Sequence, residues 1–297
     1  MKRVLTFILF ILLLSCKETS NKKSVKNTLP NYDALASLDI KLRKPRKGEW
    51  LAIHKEKGQT FNQYVKDKPV HPSKDTNCIY IQPIGIFTPW EKKIIDLNTE
   101  YIRLFFGLKV VQLKPISESK IPKNKKRNHL GSEQLDAGYI INEILPNEKP
   151  KDAIVLMALT AKDLYPKPEW NFVFGLANYK SKTGITSIYR YSNSSIDVNN
   201  YKHCLERIIK TSTHEISHML GVKHCINALC LMNGVNSLEE ADTRYNALCS
   251  ECLSKLSWNL DFENVSRLNQ LIDFMNKHHL EKDVLVLTRQ RDCMMKE

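Results

Sequence analysis

Five residues in one short stretch have the types and the spacing to hold a metal ion and use it: His214, Glu215, His218, Gly221 and His224, in the pattern H-E-x-x-H-x-x-G-x-x-H. Histidines four apart on a helix share a face, so His214 and His218 can turn their imidazoles toward one ion. A catalytic zinc takes three protein ligands, and the third has to approach from another direction. Gly221 has no Cβ and can take the left-handed backbone that ends a helix and turns the chain, which brings His224 round as that ligand. Three neutral imidazoles leave the fourth zinc position open to water, whose pKa falls to about 7 in such sites. Glu215, beside the first ligand, is placed to take a proton from that water and return it to a leaving amine, which is the course of peptide hydrolysis. A bare H-E-x-x-H arises by chance in about one 300-residue protein in a hundred, where a surface helix is the ordinary reading. Gly221 and His224 lower that chance by about three orders of magnitude.

A second ligand set begins at the next residue. Cys225-x4-Cys230 and Cys249-x2-Cys252 are two cysteine pairs separated by a loop of about twenty residues, the spacing of a closed tetrahedral site with four thiolates about 2.3 Å from a structural zinc. Because Cys225 follows His224 directly, that ion would stiffen the floor of the catalytic one, for two zinc ions per chain. In an oxidising compartment Cys249 and Cys252 could instead form a disulfide; metal protection during folding favours zinc. Met232, just past Cys230, can pack beneath the three imidazoles or simply fill core.

The run 214–225 (HEISHMLGVKHC), Cys230-x-Met232 and the closing CSEC together resemble the archaemetzincins, a metzincin-clan family of zinc peptidases with a second, cysteine-bound zinc. The stretch 171–177 (NFVFGLA) resembles that family's edge strand, Glu206-Arg207 its approach to the zinc helix, and Asn236-Ser237-Leu238 with Asp242 the segment between its cysteine pairs. The resemblance runs from about Cys78 to Leu256. It implies His214, His218 and His224 on the catalytic zinc, Glu215 as base, Cys225, Cys230, Cys249 and Cys252 on the second zinc, and Met232 as the methionine turn. It also implies that Phe174, Gly175, Leu176 and Ala177 rim the cleft, where unpaired backbone would hold an extended peptide by strand addition. The implied fold is α/β (α+β) and metzincin-like: a mixed twisted sheet, an active-site helix, a backing helix and a small zinc-stabilised C-terminal subdomain.

The elements that must position these residues are legible in part. On a helical wheel started at Leu205, the residues Leu205, Ile208, Ile209, Ile216, Met219 and Leu220 fall within about 60° of one direction, while His214 and His218 point the opposite way. Upstream, 78–87 reads as a strand, and Thr88-Pro89 as the cap and first residue of a helix that Gly107 stops. The stretch 108–113 reads as the next strand, and strand, helix, strand opens an α/β sandwich. Further on, the pattern predicts a helix over 134–145 and strands over 153–159, 172–177 and 185–191. A short helix from Cys252 through Leu256 and a C-terminal helix marked by Val265, Leu268, Ile272 and Met275 follow. Residues 120–127 hold five cations in eight positions without interleaved aromatics, which favours a solvated loop over a nucleic-acid contact.

The ends set the context. Two cations and the apolar run 4–14 read as a signal peptide too short to span a membrane as a mature helix. Leu13-Leu14-Ser15-Cys16 is similar to a bacterial lipobox, with Cys16 as the lipid-bearing residue, and so implies a lipid anchor on the cell envelope, at the outer membrane or cell surface. The expected organisation is a lipoprotein signal peptide (1–15), a flexible tether (16–47), an unassigned extension (48–77), the peptidase domain (78–260) and a C-terminal helical segment (261–297). The formal charge of +13 over 297 residues fits an anionic envelope surface and names no substrate. The reading is a monomeric peptidase acting on peptides or proteins, with no nucleic-acid partner. Its alternative is a non-catalytic, zinc-stabilised envelope binding protein, which the presence of Glu215 disfavours.

Overall fold

The computed structural model describes residues 32–296; the expected signal peptide, Cys16 and the first half of the expected tether lie outside the described residues. Three short helices open it: α1 (Tyr32–Ser37), α2 (Trp50–Ile53) and α3 (Phe61–Lys66). They correct one expectation and place a stretch that the sequence left unassigned. From Tyr32 onward the supposed tether is docked, with Leu35 only 1% exposed. Asp39 accepts from the Ser250 N–H at 3.0 Å, and Ile40 and Leu42 pair backbone with Leu229 (2.7 Å) and Asn227 (3.3 Å). The extension 48–77 is equally fixed: Thr60 and Gln63 form a capping box at the start of α3, whose Phe61 and Tyr64 are buried. A few buried side chains and a few hydrogen bonds hold each piece, and an average over composition does not register anchors that sparse.

The main sheet has the order β2-β1-β5-β8-β7. Strand β1 (Cys78–Ile84) leads through Thr88, which caps α4 (Pro89–Phe106) in a capping box with Glu91; Gly107 at φ 65° ends that helix as expected. Strand β2 (Lys109–Gln112) then returns parallel to β1. A hairpin, β3 (Lys126–His129) and β4 (Ser132–Asp136), comes next and joins β6 in a small second sheet. The hairpin corrects the helix predicted over 134–145. Gln134 and Leu135 are buried in strand, and the helix starts only where the Asp136 side chain accepts the Tyr139 N–H at 2.9 Å. It proceeds as α5 (Ala137–Tyr139), a π-turn (Ile140–Ile144) and α6 (Leu145–Glu148). The basic run 120–127 is two tight turns leading into β3, with Lys120 paired to Glu148 and Lys125 to Asp136.

Strand β5 (Ala153–Thr160) is buried at every position, as a central parallel strand must be. After β6 (Asp163–Tyr165), the strand expected over 172–177 is shifted: β7 is Gly175–Asn178, and Phe172 to Phe174 precede it. The strand expected over 185–191 is β8 (Thr183–Ser187), followed by a 3-10 turn, Tyr189–Tyr191. β7 runs antiparallel to β8, with Gly175 opposite Thr186, and is the outermost strand of the sheet.

Helix α7 (Tyr201–Met219) packs on this sheet through Leu205, Ile208, Ile209, Ile216 and Met219, each fully buried. The wheel read from the sequence is thus the wheel found. Beyond it lie α8 (Leu238–Asp242), α9 (Ser250–Leu260), α10 (Asn264–Lys277) and α11 (Glu281–Met295). The sequence pattern showed only one helix past 261. Leu268, Met275 and Leu287 from the last two join the same hydrophobic core as β1, α4 and α7.

Candidate metal centres and active-site cleft

The zinc-ligand pattern depends on where α7 stops. Leu220 is its C-cap, and Gly221, at φ +91°, donates its N–H to His218 O at 2.8 Å while Val222 N–H reaches Ser217 O at 3.0 Å. A side chain at 221 would be strained, and its Cβ would come within 2.9 Å of Pro69. The chain therefore doubles back and carries His224 to the face that holds His214 and His218.

The three imidazole centroids form a triangle with sides of 4.4, 4.8 and 5.2 Å. One ligand atom from each lies within 4.8 Å of the others. Every ring gives its Nδ1 to an oxygen: His214 to Leu231 O at 2.9 Å, His218 to Val222 O at 2.6 Å, His224 to Glu56 Oε1 at 2.7 Å. Those oxygens can only accept, so Nδ1 carries the hydrogen and the Nε2 lone pairs are left for a metal. Burial, then the neighbouring His224, hold His214 down to about 3; burial also keeps His218 well below its ordinary value. Both rings are neutral at physiological pH, as ligation requires. The donor set, its tautomers and its charge state fit zinc.

Glu215 lies at the same place, 8% exposed, and burial pushes its carboxyl up to about 8. The backbone opposite is Gly175, where an added Cβ would come within 2.8 Å of the Glu215 carboxylate. Edge strand and base are thus in contact across the floor of a cleft of about 830 Å³. Its lining includes the three histidines, Glu215, all four predicted rim residues from Phe174 to Ala177, and the aromatic rings of Trp50, Trp170 and Tyr179. Of those rim residues, Gly175, Leu176 and Ala177 are in β7; Phe174 sits just before it, its carbonyl accepting from Ser187 N–H at 3.0 Å. Among the described residues the only strand that β7 pairs with is β8, and Gly175, Leu176 and Ala177 line the cleft.

The four predicted cysteines also converge, all buried, with sulfurs within 4.8 Å of one another. Cys225 and Cys249 Sγ are 3.7 Å apart. Two thiolates about 2.3 Å from a shared tetrahedral ion stand about 3.8 Å apart, whereas a disulfide needs about 2.05 Å. All four are free cysteines, and their arrangement fits one tetrahedral ion better than a Cys249–Cys252 disulfide. The N–H groups of Met232 and Cys249 point at Cys230 Sγ at 3.4 and 3.2 Å, a setting that suits a thiolate. Met232 is fully buried, and its carbonyl accepts from Cys225 N–H at 2.7 Å. The turn at 231–232 thereby ties the sulfur site to the carbonyl that orients His214. Cys16 lies outside the described residues, and among those residues no helix is long and apolar enough to cross a membrane.

Sequence reasoning missed four contributors. Glu56 and Trp50 reach His224 from the unassigned extension, Trp50 edge-on at 5.2 Å. The Tyr179 hydroxyl lies 2.7 Å from His218 Nδ1. Asn233 closes the cysteine loop by donating to Cys225 O and Ala228 O at 2.8 and 3.0 Å. The apolar residues Trp50, Phe61 and Tyr64 and the Thr60–Gln63 capping-box spacing are the signals in the sequence that the extension is ordered.

Comparison with known proteins agrees with this geometry. The sequence model of a family described as Peptidase family M54 matches residues 147–258. Archaemetzincin-2 of Rattus norvegicus is 35% identical over 264 residues, covering 77% of this chain and 72% of that protein. The archaemetzincin of Archaeoglobus fulgidus is 30% identical over 180 residues, 61% of this chain and 99% of that one. Among solved structures, archaemetzincin from Methanopyrus kandleri superimposes with a TM-score of 0.50 at 26% identity, over 65% of this chain and all of that chain.

Proposed function

Because this chain belongs to the archaemetzincin family of zinc metallopeptidases, we propose that it cuts extended peptides in the cleft beneath β7, with Glu215 as general base. The observation that carries this reading is the convergence of three pre-oriented imidazoles beside the Glu215 carboxyl, which meets the backbone of Gly175. His214, His218 and His224 would hold the catalytic zinc, and Cys225, Cys230, Cys249 and Cys252 the structural one. Bound at the histidines, zinc polarises the scissile carbonyl and lowers the pKa of water to about 7. Burial alone would keep the Glu215 carboxyl protonated, but a dication held at the histidines would favour its ionised form, and Glu215 would then take a proton from the attacking water and deliver it to the leaving amine. The open edge of β7 pairs with the substrate backbone and sets the scissile bond over Glu215. Aromatic walls exclude water from the reacting groups, which strengthens each charge interaction among them.

Glu215→Gln tests the assignment. Turnover of a peptide library should fall about 10²–10⁴-fold, while zinc analysis still returns two ions per chain. A variant that cleaves like wild type would remove Glu215 from the mechanism. The lipobox-like run ending at Cys16 supports an envelope lipid anchor as the second half of the reading. Metabolic labelling with a fatty-acid analogue should mark the wild type and spare Cys16→Ser; equal labelling of both would refute the anchor.

A further inference from the structure

The three ligand imidazoles are not held alike. His214 and His218 stand on α7, and their Nδ1 hydrogens go to main-chain carbonyls of the turns that follow it. His224 lies beyond the helix, on the turn after Gly221, and no regular backbone fixes its ring. Its Nδ1–H goes to a carboxylate, Glu56 Oε1, from a segment 168 residues away in sequence. That segment is itself firmly placed. The Trp50 N–H donates to the Glu240 carboxylate at 3.1 Å, and the indole covers Gly234, where any Cβ would overlap it. Trp50 meets His224 edge-on and stacks on His54 at 3.9 Å. Just past Glu56, the Gln59 amide donates to Gly221 O at 3.2 Å and accepts from Lys223 N–H at 3.1 Å, on the same turn that presents His224.

We propose that Glu56 is a positioning residue of the catalytic metal centre: its carboxylate holds His224 as the Nδ1–H tautomer with Nε2 turned toward the ion. The N-terminal strap is then a working part of the metal site. This rests on the histidine set binding zinc, the first half of the function proposed above. A carboxylate behind a ligating imidazole fixes tautomer and ring orientation and raises ligand basicity, and removing such a partner costs about 10–100-fold in metal affinity. The charge balance points the same way. Imidazole ligands carry no negative charge to offset a bound dication, and the Glu56 carboxylate would supply one without occupying a coordination position.

The test compares full-length wild type, Glu56→Ala and Glu56→Gln. Dissociation constants for both zinc ions are measured by competition with a chelator, and visible spectra are recorded with cobalt at the histidine site. Affinity at that site should fall about 10–100-fold in Glu56→Ala. The loss should be smaller in Glu56→Gln, whose amide oxygen still accepts the Nδ1 hydrogen without the charge. The four-cysteine ion should be held as in wild type, and the cobalt bands should change in shape, which a merely structural strap would not produce. Unchanged affinity and spectra in both variants overturn the proposal. If Glu56→Ala does not fold, Glu56→Gln decides alone by the same two readouts. A wild type that binds both ions yet cleaves no peptide would remove the peptidase reading and leave this one standing.

Discussion

Gly175 and Glu215 show how little room the chemistry has at the level of single residues. A methyl group at 175 would come within 2.8 Å of the Glu215 carboxylate and 3.0 Å of Thr211, so strand or base must shift. Gly175→Ala should lower peptide turnover about 100-fold, the usual consequence of an ångström of misplacement, with both zinc ions retained. Near-wild-type kinetics in that variant would show that the base tolerates displacement. The three histidines, Glu215 and the four cysteines were all legible in the sequence, because each set is nearly contiguous and its spacing is imposed by helix and turn geometry. Glu56 was not, since nothing local connects it to a ligand 168 residues away. Tyr179 was equally hidden, because its hydroxyl becomes relevant only when the turn after β7 folds over His218.

Among the elements, the cysteine loop bears the most structure for its length. It fixes the 231–232 turn that orients His214, exchanges backbone bonds with residues 40–42, and through Ser250 donates two bonds to the Asp39 carboxylate. Cys249→Ser should therefore leave fewer than two zinc ions per chain. It should also cost at least about 4 kcal/mol, or about 10 °C in melting temperature. A variant that keeps both ions and its melting point would show that three thiolates suffice. Strong elements were readable: α4, from its Thr88-Pro89 start and Gly107 stop, and α7, from its apolar stripe. The segment 134–136 was misread as helix because its apolar spacing continues into α5 and only the cap at Asp136 separates the two. The edge strand was misplaced because aromatic Phe172 and Phe174 look like strand residues, whereas pairing to β8 begins at Gly175.

For the molecule as a whole, the buried ionisable groups link folding to pH. Glu215 has a folded-state pKa raised from 4.5 to about 8, so the stability it contributes is full below about 4.5 and is lost as pH rises through 8. His214 and His218 have folded-state values below 6.5, so theirs is present above about 6.5 and lost as pH falls. In metal-free protein, denaturant midpoints for wild type and Glu215→Gln should agree near pH 4. By pH 9 the wild type should be less stable than the variant by a few kcal/mol. Parallel curves across that range would mean that the Glu215 carboxyl is solvated in the folded state. The mixed sheet and the active-site helix followed from the sequence. The docked N-terminal strap and the packing of α10 and α11 did not, because both depend on long-range contacts that carry no periodic signature.

His224 and Cys225 are neighbours on one planar peptide unit, one facing the histidine cage and the other the sulfur cage. An oxidant that strips the sulfur-bound ion would also pull the third imidazole out of line, and so would silence hydrolysis although no thiol takes part in it.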